Sequence, residues 1–393
     1  MKMLKSYSHT IYASYIGYIT QAIVNNFAPL LFLTFSREFD LTLERIALIT
    51  TINFGVQLLV DLISARLVDR IGYRICVVAA HIFSVAGLTG LAILPGLFNN
   101  PYSGILFSVV LYAVGGGLIE VLISPIVEAC PTEQKETAMS LLHSFYCWGH
   151  VGVVLLSTLF FRLAGIANWR VLAVLWAIVP ALNCFYFACV PLYPIVSGAE
   201  PMSIRTLFGQ KLFWLFMVIM ICAGASEQAM SQWASAFTES ALGVSKTVGD
   251  LAGPCAFAVL MGTARALYGK YGSRLPLQKT MILSAVLCIA AYLLATLSRS
   301  PVSGLIGCAV CGFSVGIFWP GTFSMAARRL PTGGTALFAF MALAGDVGCS
   351  GGPTLVGFVA GSFNGELKRG LLAAIVFPIL IMIGISRLKE KKS

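Results

Sequence analysis

Charge is what this sequence has least of. Only 11% of its 393 residues are Asp, Glu, Lys or Arg, and of the charged side chains just 16 are acidic. Set against 58% hydrophobic residues and a mean hydropathy of +0.88, that scarcity excludes a water-soluble globule, and with it the soluble enzyme folds. Histidine is rarer still, at 4. No nucleophile, base and orienting group cluster at a recognisable spacing, so an enzyme is not expected. A disulfide framework is missing too, because the 11 cysteines are odd in number and scattered through apolar segments. Cys308 and Cys311 form a CxxC in the middle of an apolar helix, which reads as packing, and neither a metal nor a cofactor is expected. No signalling domain is appended, which disfavours a receptor or sensor. The first apolar run, from about Ile11 to Phe35, is long enough to span a bilayer and lacks the small-residue cleavage site of a signal peptide.

The formal charge of +10 would raise the question of nucleic acid in a soluble protein. Here it has a duller cause. Read loop by loop, 18 of the 26 Lys and Arg fall on one side of the proposed membrane and 8 on the other. The richer side is expected in the cytoplasm, with both termini, and no nucleic-acid partner follows. What is present in quantity is apolar sequence in runs of the ~20 residues needed to cross ~30 Å of hydrocarbon. About twelve such spans are expected: an all-α polytopic membrane protein in two six-helix halves. Residues 1–193 form the first half, 194–210 a polar cytoplasmic linker and 211–393 the second half.

Against that background each polar residue inside a span stands out. Glu120 lies in GGGLIEVLISP, residues 115–125 of the fourth span. Burying an ionised Glu there costs at least ~2.5 to 3.5 kcal/mol, so such a residue normally faces a cavity or a partner. The triple Gly before it lets a helix or a ligand approach closely, and Pro125 should kink the helix. Glu227 in the seventh span and Asp346 in the eleventh are further buried carboxylates. The nearest cations, Arg66 and Arg265, are placed at cytoplasmic helix ends, so protonation is the cheapest way to bury the three acids. Acting as proton carriers or as neutral hydrogen-bonding groups, they give two distinct readings. His143 in the fifth span divides the same way, between proton relay and packing, whereas His81 and His150 read as packing residues.

Amides make up the rest. Gln21 and Asn25 share a stripe of the first span with Asn26 beside it, and Asn53, Gln57 and Asp61 recur at i, i+4 and i+8 in the second. Gln228 and Trp233 sit near Glu227, and Trp319 lies in the tenth span. These residues either line a path for a hydroxyl-rich solute or glue helices together.

The run ARLVDRIGYR, residues 65–74, resembles the loop between the second and third helices of the major facilitator superfamily, approximately GxLxDRxGRR. Leu67, Asp69, Arg70, Gly72 and Arg74 match; Ala65 and Tyr73 depart. The loop recurs 200 residues later as Leu267, Lys270, Gly272 and Arg274, with Gly269 replacing Asp69, as a duplicated half requires. The resemblance implies that Asp69, Arg70, Gly72 and Arg74 act as a conformational latch. Within the superfamily the polar helices resemble the fucose/proton symporter group of sugar transporters. Glu120 with Pro125 is similar to that group's LETAANP run, Glu227 with Trp233 to its Gly-Ala-Glu run, FWPGTFSMA to FPTIFSLA, and GGPTLVGFVA to GGGIVTPVMGFVSD. The group's first-helix Asp, implicated in proton coupling, is replaced here by Pro29, and Asp346 stands where the group has a small residue. The resemblance implies a monomeric secondary transporter of the cytoplasmic membrane. It would move a small polar solute, a sugar or related compound, with protons by alternating access between the halves. Proton coupling would fall to Glu120, Glu227, Asp346 and His143, and solute binding to Gln21, Asn25, Asn26, Asn53, Gln57, Gln228, Trp233 and Trp319. The alternative is a proton-driven exporter of amphipathic compounds.

Overall fold

A computed structural model describes residues 6–132, 135–193, 204–271, 276–330 and 334–388, without the side chains of 65–67, 69, 135–140, 143, 204, 269–270, 334–336 and 338. It divides into two compact units, Met1–Ser197 and Gly198–Ser393.

Every regular element among the described residues is helical. The first unit comprises α1 (Tyr7–Asn26), α2 (Phe32–Phe39), α3 (Leu43–Ile71), α4 (Tyr73–Leu97), α5 (Pro101–Glu128), α6 (Lys135–Ala164) and α7 (Trp169–Cys189). The second comprises α8 (Ile204–Phe208), α9 (Lys211–Ser240), α10 (Lys246–Asp250), α11 (Ala256–Tyr271), α12 (Leu277–Leu297), α13 (Pro301–Val315), α14 (Phe318–Arg329), α15 (Gly334–Ser362), α16 (Leu367–Ala373) and α17 (Val376–Ser386). Eleven stretches of the described residues are long and apolar enough to cross a membrane. With α15, 29 residues long, the chain carries twelve spans in two six-helix halves.

Proline explains where spans depart from single helices. Proline lacks an N–H, and its ring crowds the carbonyl four residues earlier. The first span, expected as one helix, breaks at Phe27 into a 3₁₀ turn, Ala28–Leu31, that carries Pro29. The tenth breaks at Gly316 and Ile317, four and three residues before Pro320, and the twelfth at Ala374 and Ile375, ahead of Pro378. In the eighth, Pro254 lies in a π-helical turn, Leu251–Cys255. Pro125, by contrast, is carried inside α5 without interrupting it. The supposed loop at residues 65–74 is mostly helix as well: α3 continues to Ile71, and Gly72, at φ 96°, alone turns the chain.

In the first unit α5 is central, packing on α1, α3 and α4. The triple Gly makes this contact possible. A Cβ on Gly115 would strike the α4 backbone at Ala80 and Ser84; on Gly116 it would lie 3.1 Å from Val24 of α1; on Gly117 it would lie 3.0 Å from the Gln57 Cα of α3. In the second unit α9 plays the same part against α15, where Gly224 meets Gly345, and Gly348 meets Ile221 and Ala225. In lipid, where burial of apolar surface drives no association between helices, such small-residue contacts are what hold spans together.

Candidate functional site

Two of these close approaches, by α1 and α3, bring a row of amides up to Glu120. Gln21 of α1 donates from Nε2 to Glu120 Oε2 at 2.8 Å and to Gln57 Oε1 of α3 at 3.1 Å. Gln57 donates in turn to Asn25 Oδ1 at 2.8 Å, and Asn53 to the same oxygen at 3.1 Å. Five polar side chains from three helices thus form one chain of hydrogen bonds, ending on the Glu120 carboxylate of α5. All four amides are buried, yet Gln21 Oε1 and Asn53 Oδ1 have no hydrogen-bond partner among the described residues. A buried amide oxygen without a donor costs roughly 1–3 kcal/mol, which an incoming hydroxyl would recover. One turn along α5 from Glu120, Ser124 meets the Tyr18 hydroxyl at 3.1 Å. Asp61, one turn beyond Gln57 on α3, is close enough to act electrostatically on Glu120.

The second unit builds its own row. Gln232 donates to Gln228 Oε1 at 3.0 Å, and Gln228 donates to Glu227 Oε1 at 3.3 Å. Arg265 of α11 donates from Nη2 to Glu227 Oε2 at 3.1 Å. This corrects the expectation that Arg265 lies too far along its helix to neutralise a buried acid: the long side chain reaches Glu227, which is 6% exposed, while keeping 25% exposure itself. Asp346 is buried on α15. Its neighbour Gly345 faces the Trp319 indole, where a Cβ would fall 2.7 Å from Cζ2, so the missing side chain makes room for the ring beside the acid.

Not all candidate residues join these groups. Asn26 donates to Ala22 O of its own helix at 2.9 Å. Trp233 is fully buried, and its indole N–H donates to Pro353 O at 2.9 Å. It pins α9 to α15 and presents no open face for stacking. The side chains of His143 and Asp69 lie outside the described residues. Of the other latch residues Arg70 is exposed, and Arg74 donates from Nη1 to Phe187 O and Ala188 O at 3.0 and 3.1 Å. Arg74 thereby caps the last turn of α7, where a cation meets the negative end of a helix. His81 is structural: its Nδ1 lies 2.7 Å from Val77 O, and its Nε2 accepts from Asn183 Nδ2 at 2.8 Å.

Sequence reading missed one further cluster. Lys246 pairs with Asp250 at 3.1 Å, and Ser235 of α9 donates to the same carboxylate. The i, i+4 spacing of Lys246 and Asp250 was the available signal. For Arg265 and Glu227, on separate helices, no local signal existed.

A search of curated protein sequences finds no match. Among solved structures, a D-xylose–proton symporter aligns over 96% of this chain and 95% of its own, with a TM-score of 0.77 at 12% identity. The E. coli fucose:proton symporter aligns over 97% and 99%, with a TM-score of 0.66 at 16% identity. The nucleoside transporter NupG aligns over 96% and 99%, with a TM-score of 0.77 at 13% identity. At such identities the likeness is one of fold. The family model of the Major Facilitator Superfamily matches residues 14–353, and the chain belongs to that superfamily of membrane transporters.

Proposed function

We propose that this transporter imports a small, hydroxyl-rich solute together with protons across the cytoplasmic membrane, both termini facing the cytoplasm. One observation carries the reading: the chain of amides on α1 and α3 that ends on Glu120 and leaves two buried acceptors, Gln21 Oε1 and Asn53 Oδ1, open to hydroxyl donors. A few fixed polar groups in an apolar wall select a polyol by its pattern of hydroxyls. Glu120 serves as the proton carrier. With Gln21 donating to one oxygen, the carboxyl keeps a hydrogen bond whether neutral or ionised, and it can load and unload a proton as access alternates between the two sides of the membrane. Two of the fold relatives are proton-coupled sugar symporters, which agrees with this reading.

The test is uptake by the purified protein in proteoliposomes, screened over sugars, polyols and nucleosides with and without an imposed pH gradient. Accumulation of one of these solutes only when the gradient is present supports the proposal. Equal uptake with and without the gradient removes the proton, and uptake of none of them removes the solute class.

A further inference from the structure

Thr50 carries a buried hydroxyl that makes no hydrogen bond among the described residues. The residue is 2% exposed, and Thr50, Asn53 and Gln57, at i, i+3 and i+7, lie on one face of α3. A threonine inside a helix ordinarily gives its hydroxyl to the carbonyl four residues earlier. Thr20 does so to Ile16 O at 3.1 Å, and Thr51, next to Thr50, to Ala47 O at 2.9 Å. Thr50 does not. It stands beyond the end of the amide row, where Gln57 and Asn53 both donate to Asn25 Oδ1, and about 4.5 Å further along the helix axis from Asn53. The row thus carries three buried groups without partners, Gln21 Oε1, Asn53 Oδ1 and Thr50 Oγ1, all in the first unit. Two are amide oxygens, which only accept. Of the three, the threonine hydroxyl alone can also donate.

We propose that Thr50 is a solute-binding residue, whose hydroxyl and the Asn53 amide oxygen together hold hydroxyls of the solute at the end of the row away from Glu120. The proposal rests on the transport reading above and narrows its substrate, which must offer an acceptor oxygen beside its hydroxyl donors. One hydroxyl of the solute donates to Asn53 Oδ1, and an oxygen beside it accepts from Thr50. Gln21 Oε1, next to Glu120, takes a further hydroxyl donor. No covalent bond changes, and no proton is transferred at Thr50. The chemistry of the residue itself favours this role over packing. Valine has the same branched shape and carries no hydroxyl to bury, so a position that served packing alone would gain nothing from threonine. The hydroxyl costs stability in the empty protein and recovers that cost when a solute meets it.

The experiment measures binding of xylose, fucose, mannitol and uridine to the full chain in lipid nanodiscs by calorimetry, together with the melting temperature of each variant without solute. Thr50→Val keeps the branched shape and removes the hydroxyl. Whichever of the four probes wild type binds, Thr50→Val should bind it about tenfold more weakly, the loss of one hydrogen bond. When empty it should melt no lower than wild type, because the hydroxyl it removes had no partner. Thr50→Ser, which keeps the hydroxyl, should bind within about threefold of wild type. A hydroxyl that serves only to hold α3 predicts the reverse, a lower melting temperature with unchanged binding in Thr50→Val, and either of those results overturns the proposal. Equal binding of a probe by wild type and Thr50→Val would do so while leaving the transport reading standing. Binding of none of the four by wild type removes the solute class of that reading, and this proposal with it. Binding that depends on Thr50 without proton-driven accumulation removes the proton and leaves Thr50 in place.

Discussion

Gln21 and Glu120, 99 residues apart in the chain, meet at 2.8 Å through an amide N–H and a carboxylate oxygen. The same nitrogen also reaches Gln57, so one side chain ties α1 to both α3 and α5. Gln21→Leu should therefore cost about 1–3 kcal/mol, the penalty for leaving buried partners unmade. Thermal unfolding of the purified protein reads this directly. A melting temperature equal to wild type would mean the network contributes nothing to holding these helices.

Trp233 separates packing from binding. Trp233→Phe removes the N–H donated to Pro353 O but keeps an aromatic ring. It should cost about 0.5–1.5 kcal/mol of stability. Trp233→Ala should cost about 3–5 kcal/mol through the cavity left behind. Solute affinity of Trp233→Phe, measured by calorimetry, should equal that of wild type, and a tenfold loss would return the indole to the solute path.

Gly348 tests the α9–α15 contact. A Cβ there would fall 2.8 Å from Ala225 N and closer still to Ile221 O, so the two backbones must move apart for any larger residue. Gly348→Val should destabilise by about 1–3 kcal/mol or more. Gly351→Val, one turn on with open space around its Cβ position, should be tolerated in the same unfolding assay.

The turn between α3 and α4 should be sensitive to backbone, not to bulk. At Gly72 nothing lies within 4 Å of a Cβ, yet φ is 96°. Gly72→Ala should cost about 1–3 kcal/mol from conformation alone. Arg74→Ala removes both hydrogen bonds to the end of α7 and should loosen that helix terminus, seen as faster exchange of the Val190 amide, which donates to Tyr186 O.

How far the sequence led depends on the kind of information. Spans were legible because twenty apolar residues in a row admit few other structures, and the two halves because the loop at Gly72 repeats. The breaks at Pro29, Pro320 and Pro378 could have been drawn from the proline rule, whereas Pro125 shows that the rule does not bind every proline. Glu120, Gln21, Gln57, Asn25 and Asn53 were legible as a polar set because each interrupts an apolar helix. Who meets whom was not, since that depends on helix rotation and on glycine contacts such as Gly116 and Gly117. Arg265 shows the same limit: its rank along the helix was plain, but the reach of its side chain to Glu227, 38 residues away, is a property of packing. The packing of Trp233 against α15 was not legible for a related reason, an aromatic beside polar residues being equally suited to a cavity and to a helix seam.

The most direct test of the account is Glu120→Gln in proteoliposomes, with whichever solute wild type accumulates. The amide imitates the protonated acid and keeps a partner for Gln21, so binding and counterflow exchange should persist while accumulation driven by a pH gradient disappears. If Glu120→Gln still concentrates the solute as wild type does, Glu120 does not carry the proton and the account fails at its centre.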